Sequence, residues 1–327
     1  MENPDLLVVE NLKKYFSVGG GLFGRPTSRV KAVDGVNLAV RKGETLGLVG
    51  ESGCGKTTFG RCILRLEEPT EGKIFFEGEN ILAYSQKRMR QIRRDMQIVF
   101  QDPYSSLNPR KTVGQIVSEG FRVHRIFSKR ERQKRVREMI ETVGLLPEHI
   151  DRYPHEFSGG QRQRISVARA LLLRPKMIIA DEPVSSLDVS IQAQILNLLV
   201  QLQRQFDLTY VFISHDLRVV RHISDRVAVM YLGRIVELSK TEALFKRPFH
   251  PYTEALISAV PAPKPMGQRE RIILRGDIPS PINPPAGCHF HPRCQYRQQI
   301  CTQTAPVMED QNENHWVACH FPLTPLG

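Results

Sequence analysis

The chain has no uninterrupted run of about 18 apolar residues anywhere in its 327. A membrane-spanning helix is therefore not expected, and any pore this protein serves must come from other chains. It opens Met-Glu-Asn-Pro-Asp, with neither the basic start nor the apolar stretch of a secretory leader. Acidic residues are in short supply: 34 Asp and Glu stand against 46 Lys and Arg, for a formal net charge of +12. That balance admits nucleic acid, an anionic membrane surface or a phosphate-rich ligand as partner, without choosing among them. No internal repeat of solenoid length occurs. What is present is ordinary globular composition, 41% hydrophobic and 24% charged, enough for a large buried core and room for one large domain plus a smaller one.

Along the chain, residues 5–11 read as a strand. A Gly-rich stretch at 19–24 with Pro26 reads as a hairpin loop. Short apolar runs at 45–49, 97–100, 177–180 and 210–213 suit buried strands, with further strand character at 73–76 and 225–231. Helices are expected from about residue 58 to 67, through 113–150, and over 158–173, where Pro175 closes the last. Strands alternating with helices imply an α/β fold with a mostly parallel sheet. Beyond about residue 240 prolines become frequent (Pro261, Pro263, Pro265, Pro279, Pro281, Pro284, Pro285) and cysteines cluster. A domain boundary is placed there: 1–240, then 241–327.

Gly50, Glu51, Ser52, Gly53, Cys54, Gly55, Lys56 and Thr57 match G-x-x-x-x-G-K-[ST] between an expected strand and an expected helix. Glycines let backbone N–H groups curl round a phosphate without side-chain clash. The following helix aims its positive end at the same anion. Lys56 supplies charge for the β- and γ-phosphates, Thr57 a hydroxyl for Mg²⁺, and Thr58 is placed for the α-phosphate. A Gly-rich surface turn is the bland alternative, and the flanking elements argue against it.

Met177-Ile-Ile-Ala ends in Asp181 and Glu182. Neighbours on a strand point to opposite faces, so Asp181 can hold the Mg²⁺ shell while Glu182 faces an attacking water as general base. A lone Asp-Glu pair is more often a solvated loop; an apolar strand downstream of a phosphate loop reverses that. Ser158, Gly159, Gly160 and Gln161 open a second helix and form another anion site. A Ser N-cap alone accounts for Ser158 but not for the two glycines.

Phe157-Ser-Gly-Gly-Gln closely resembles the signature of the ABC ATPases, with Phe for the usual Leu. The resemblance implies a P-loop NTPase fold of the ABC type, with a helical subdomain over about 103–170. It implies head-to-tail pairing, in which Ser158, Gly159, Gly160 and Gln161 complete a partner's ATP site. Other parts fall in the family's order. Gln101 matches the Q-loop glutamine, a Mg²⁺ contact. Asp188 matches the D-loop and His215 the switch histidine. Phe16 matches the aromatic that stacks on adenine, with Tyr15 as its neighbouring alternative. Gln101-Asp-Pro-Tyr-Ser-Ser-Leu-Asn-Pro-Arg, His250-Pro-Tyr-Thr-Glu-Ala-Leu and Gly276-Asp-Ile-Pro-Ser-Pro-Ile-Asn-Pro-Pro-Ala-Gly-Cys are similar to the oligopeptide/dipeptide importer ATPases. That subfamily implies a second, related ATPase chain, two membrane permeases, an extracytoplasmic peptide-binding protein, and a peripheral place on the cytoplasmic face of the membrane. Some relatives carry nickel, glutathione or antimicrobial peptides instead.

Two other classes of the superfamily fit the sequence less well. Chromosome and repair ATPases of the superfamily carry long insertions between Q-loop and signature, whereas 56 residues separate Gln101 from Ser158 here. Fused translation ATPases carry two phosphate loops, and this chain has one. Nucleic acid is accordingly not expected as a partner. The basic stretch Lys129–Glu138, six basic and two acidic residues in ten, reads first as a solvated helix face.

Cys288, Cys294, Cys301 and Cys319 are spaced C-x5-C-x6-C-x17-C, with His289, His291, His315 and His320 nearby. Without a secretion leader such a group points to metal rather than disulfides. Four thiolates suit Zn²⁺ or a [4Fe–4S] cluster, and this spacing matches neither a zinc ribbon nor a ferredoxin run. The importer resemblance implies the cluster.

Overall fold

The computed structural model describes residues 4–19, 28–260, 272–311 and 314–323. The Gly-rich hairpin loop expected at 19–24 with Pro26 lies, apart from Gly19, outside the described residues, as do Pro261, Pro263 and Pro265. The chain forms two compact units, each assembled from separate stretches of sequence.

The first unit takes residues 1–4, 41–44 and 83–213. Its strands Met96–Val99, Met177–Asp181 and Thr209–Ser214 run parallel, with Met177–Asp181 in the middle (Val99 beside Ala180, Ala180 beside Phe212). Every residue of the latter two strands is buried, as a parallel strand covered on both faces requires, and their sequences are accordingly continuous apolar runs. The helix Gly159–Leu171 is the hub of the helical part. It packs on the edge strand, on Val189–Phe206 and Lys129–Thr142, and on the short helices Pro103–Ser106 and Val113–Val117.

The helical reading of 113–150 resolves into three helices, Val113–Val117, Glu119–Val123 and Lys129–Thr142, and a 3-10 turn, Pro147–Asp151. Local chemistry breaks it. Arg125 and Phe127 take left-handed φ of 55° and 65°, which no helix tolerates. Ser128 then caps the next helix by accepting from Glu131 N, and Gly144 at φ 74° ends the chain's run. Within Lys129–Thr142 only Val136, Met139 and Ile140 are buried. Its charges face outward, with Glu131–Arg135 paired at 2.8 Å, so the basic stretch is a solvated helix face.

The second unit takes residues 5–40, 45–82 and 214–327. One sheet runs in the order Ser28–Arg41, Asp5–Val18, Glu71–Phe76, Glu79–Asn80. The other places Thr45–Val49 parallel to Arg226–Tyr231, which pairs antiparallel with Arg234–Lys240. The small strands Trp316–Val317 and Glu309–Asp310 extend it from the tail. Thr45–Val49 is wholly buried and leads into the helix Lys56–Ile63. Glu237, 0% exposed in the strand Arg234–Lys240, anchors the tail. Its carboxylate accepts from Phe249 N (2.7 Å), His250 N (3.0 Å) and His315 Nε2 (2.6 Å). His250 in turn caps the helix Pro251–Ser258, its Nδ1 accepting from Tyr252 N at 3.1 Å.

Candidate functional site

The phosphate loop lies in the second unit, in the expected strand–loop–helix setting. Gly50 has φ 156° and Gly55 φ 110°. A Cβ at Gly50 would stand 2.1 Å from Met230 O, and one at Gly55 2.0 Å from Ala32 O. Neighbouring backbone therefore dictates both glycines, and the loop stays tight enough for its N–H groups to converge. Lys56 is 4% exposed. Its ammonium donates to Gly50 O (2.8 Å) and Glu51 O (3.0 Å), with Cys54 Sγ at 3.7 Å. A cation is thus held inside the loop by its own carbonyls, beside the start of a helix. Cys54 is buried, and burial pushes its thiol pKa up, so it fills space without bringing charge. Ser52 and Gly53 are exposed, Thr57 and Thr58 half-buried.

The two aromatic candidates separate clearly. The Tyr15 hydroxyl donates to Asp34, which also takes Arg234 Nη2 at 2.7 Å and Nε at 3.0 Å. Burial and that carboxylate raise the Tyr15 pKa. Burial opposes ionisation of Asp34, but the Tyr15 hydroxyl and Arg234 outweigh it and hold its carboxyl below the usual range. Phe16 carries no polar tie. It is half-buried, with Lys14 Nζ 4.7 Å from its ring centre. His215, also in this unit, is exposed at the turn between Thr209–Ser214 and Leu217–Ile223. Asp216 shapes that turn by capping the helix through Arg218 N at 2.8 Å.

The acid pair, Gln101 and the second glycine motif lie in the first unit. Asp181 ends its strand 3% exposed. Glu182 follows in a left-handed conformation, φ 46°, an uncommon state for a side chain of this size. Its N–H reaches Ile213 O at 2.9 Å, and its carboxylate accepts from Gln101 Nε2 at 3.2 Å. Gln101 is exposed at the end of Met96–Val99. The chain is then steered away by Asp102, whose carboxylate accepts from Tyr104 N and Ser105 N. Residues 81 apart in sequence thus share one hydrogen bond.

Ser158 and Gln161 form a capping box: Gln161 Oε1 accepts from Ser158 N at 3.0 Å, and Ser158 Oγ from Gln161 N at 3.4 Å. Ser158 and Gly159 are exposed. Gly160 is buried, and a Cβ there would stand 2.5 Å from Ile191 Cγ2. Helix packing therefore explains the second glycine, which the sequence alone left without a structural reason. Asp188 is exposed at the N-cap of Val189–Phe206, with no side-chain cap bond.

In the tail, Cys288, Cys294, Cys301 and Cys319 line one small cavity with His250, Phe290 and Tyr296. Cys288 N donates to Cys301 O at 2.8 Å. Burial raises the thiol pKa values of Cys288, Cys294 and Cys319, the last to about 12, and neighbouring thiols add to it. His291 and His320 also line this cavity, each with one ring nitrogen against a backbone carbonyl: His291 Nδ1 with Cys288 O (2.9 Å) and His320 Nε2 with Thr304 O (2.8 Å), while His315 is held by Glu237 (2.6 Å). Among the described residues, no group of three or more His, Cys, Asp or Glu is arranged to hold a metal ion.

Sequence reasoning did not find the contacts of Arg293. Its two Nη atoms bond both Glu51 carboxylate oxygens, at 2.7 and 3.0 Å, and Glu51 N donates to Tyr252 Oη at 2.8 Å. Nothing local signals pairs more than 200 residues apart.

Among the described residues, no helix is long and apolar enough to cross a membrane. Residues 33–185 match the family model for the ABC transporter, and residues 236–301 that for the oligopeptide/dipeptide transporter, C-terminal region. The chain is 55% identical to the oligopeptide transport ATP-binding protein AppF of Bacillus subtilis, covering 97% of each chain. It is 52% identical to the dipeptide transport ATP-binding protein DppF of Haemophilus influenzae, again over 97% of each. A solved structure of the ATP-binding cassette MJ0796, described as a dimeric post-hydrolysis state bound to ADP and Pi, is 30% identical. It superposes with a TM-score of 0.64 over 72% of this chain and 98% of that one. With a glycine loop built round a buried lysine, an acid pair ending a buried strand, and these likenesses, the chain belongs to the ABC transporter family, among the ATP-binding proteins of oligopeptide and dipeptide transport.

Proposed function

We propose that this chain is the ATP-hydrolysing subunit that powers import of di- or oligopeptides through a membrane ABC transporter. The observation that carries the reading is the Gly50–Thr57 loop, closed by backbone contacts and holding the buried Lys56 ammonium at a helix start. Residues 1–240 form the nucleotide-binding domain, with a helical subdomain at about 103–170, and 241–327 the C-terminal region.

In this reading ATP is the substrate. Lys56 leaves its loop carbonyls for the β- and γ-phosphates, and Thr58 serves the α-phosphate. Phe16 stacks on adenine, because the Tyr15 hydroxyl is already committed to Asp34. Thr57, Gln101 and Asp181 bring the oxygen donors that suit Mg²⁺, which when bound offsets phosphate charge. Glu182 takes the proton of the attacking water. Gln101 holds its carboxylate in place, and His215 contacts the γ-phosphate. Ser158, Gly159, Gly160 and Gln161 complete the site of a second, related ATPase chain, and Asp188 lies at that interface. The dimeric, ADP- and Pi-bound relative supports this part. Two permeases and an extracytoplasmic binding protein complete the assembly, with this chain on the cytoplasmic face of the membrane. ATP drives the cycle only because it binds the closed arrangement better than the open one.

Cys288, Cys294, Cys301 and Cys319 are the proposed ligands of a [4Fe–4S] cluster. Their convergence on one cavity supports a shared ligand, with Zn²⁺ as the alternative to the cluster. A cluster there would cross-link four segments of the tail and make them oxidant-sensitive. Anaerobically purified protein should be brown, with visible absorbance lost in Cys294→Ser; colourless protein rejects the cluster.

The test of the whole reading is ATP-dependent peptide uptake by cells or proteoliposomes carrying the complete transporter. Lys56→Ala should abolish uptake and nucleotide binding together. Peptide uptake that persists without this chain, or a chain that co-purifies with ribosomes instead of permeases, overturns it.

A further inference from the structure

Glu51 occupies the first variable position of the phosphate loop, directly after Gly50. The P-loop pattern leaves that position unspecified, yet here every polar group of the residue is engaged. Its carbonyl accepts from Lys56 Nζ (3.0 Å), its N–H donates to Tyr252 Oη (2.8 Å), and its carboxylate takes both arms of Arg293 (2.7 and 3.0 Å). The Arg293 side chain is 6% exposed and that of Glu51 25%. A forked, mostly buried pair of this kind fixes direction as well as distance, unlike the exposed ion pairs that contribute little.

The other end of the connection is the cysteine-lined cavity. Arg293 is the residue before Cys294 and ends the 3-10 turn His291–Arg293. That turn hangs from Cys288 O, which accepts from His291 N (3.0 Å) and lies 2.9 Å from His291 Nδ1. Tyr252 lies on the helix Pro251–Ser258, and the Phe290 ring packs at a tilt against Tyr252 (5.4 Å) and edge to face with Tyr231 (5.3 Å). The lysine that meets phosphate and the cysteines of the tail are therefore joined by a chain of direct contacts through one residue, Glu51.

We propose that Arg293 is a positioning residue for the phosphate loop, and that through the Arg293–Glu51 fork the integrity of the cysteine-lined cavity is read out as nucleotide affinity. Arg293 acts through Glu51. It holds the Glu51 carboxylate, hence the Glu51 carbonyl, hence the resting place of Lys56. Disturbing the cavity at Cys288 or Cys294 moves the turn that carries the guanidinium and loosens the loop 242 residues away.

The experiment is calorimetric titration of the purified full-length chain with MgADP, with a melting curve for each variant. The unsubstituted chain must bind MgADP; failure there removes the nucleotide reading itself. Arg293→Ala and Glu51→Ala should each weaken binding about five- to tenfold, and the double variant no more than either alone, since the two share one interaction. Arg293→Lys, which keeps charge but loses the fork, should recover only part. Cys294→Ser should weaken MgADP binding in the native background and have no further effect in Glu51→Ala. Losses that multiply in the double variant, a Cys294→Ser effect equal in both backgrounds, or unchanged affinity in folded Glu51→Ala each overturn the proposal. Glu51→Ala leaves the buried Arg293 guanidinium without its carboxylate, whereas the double variant removes both charges, so affinity is compared only among variants whose melting curves show them folded.

Discussion

Replacing Glu182 by Gln isolates one chemical property. The substitution is nearly isosteric, and both residues carry the same Cβ, so the cost of φ 46° is unchanged. The backbone bond to Ile213 O (2.9 Å) and the Ser185 hydroxyl on Glu182 O (3.1 Å) do not involve the side chain. The new amide oxygen still accepts from Gln101 Nε2, now 3.2 Å from a carboxylate oxygen. What disappears is the capacity to take a proton from water. A positioned general base contributes about 10²–10⁴-fold, or about 3–5 kcal/mol of barrier at 1.36 kcal/mol per tenfold. Single-turnover hydrolysis of MgATP by the assembled transporter, followed by rapid quench, should fall by that factor. Binding of MgATP should stay within about twofold. Hydrolysis within tenfold of the parent would refute Glu182 as the base, and an equal fall in binding would mean that the site had been distorted instead.

Phe16→Ala should weaken MgATP binding about tenfold, from loss of base stacking, and Phe16→Tyr should restore it; titration of both variants decides. Gly160→Ala places a methyl 2.5 Å from Ile191 Cγ2 and should destabilise by about 1–2 kcal/mol net of its gain in helix propensity. A second change, Ile191→Ala, should relieve the clash in thermal melts; no relief would return Gly160 to a purely nucleotide-facing role. His250 is 1% exposed, and burial presses its pKa down to about 3. The unfolded chain protonates near pH 6.5, so it binds the proton first as pH falls. The stability contributed by neutral His250 is whole above about pH 6.5 and declines down to about pH 3. His250→Asn, which keeps a cap acceptor, should flatten that acid limb in denaturant titrations. An unchanged slope would show that other groups set it.

The setting of the candidate phosphate loop was legible because its chemistry is local. A phosphate loop must have glycines, a lysine and a hydroxyl at fixed spacing between a strand and a helix, and Thr45–Val49 with Lys56–Ile63 stand where the pattern places them. Buried parallel strands such as Met177–Asp181 announce themselves as apolar runs, since both faces are covered. The run 113–150 was legible as helical but not as three helices. One break falls at Ser118, and the break before Lys129–Thr142 sits at Arg125 and Phe127, whose side chains do not advertise a left-handed backbone.

Residue order along the chain determined the chemistry of this protein: which groups can bind phosphate, polarise water or hold a thiol ligand, because those powers belong to side chains and short spacings. Tertiary structure alone decided which of them meet. The engagement of the Tyr15 hydroxyl turned on Asp34, the packing reason for Gly160 on Ile191, and the orientation of Glu51 on Arg293. Each partner is brought up by the packing of distant segments, and pairwise contacts between such segments leave no periodicity or motif for a one-dimensional reading to detect.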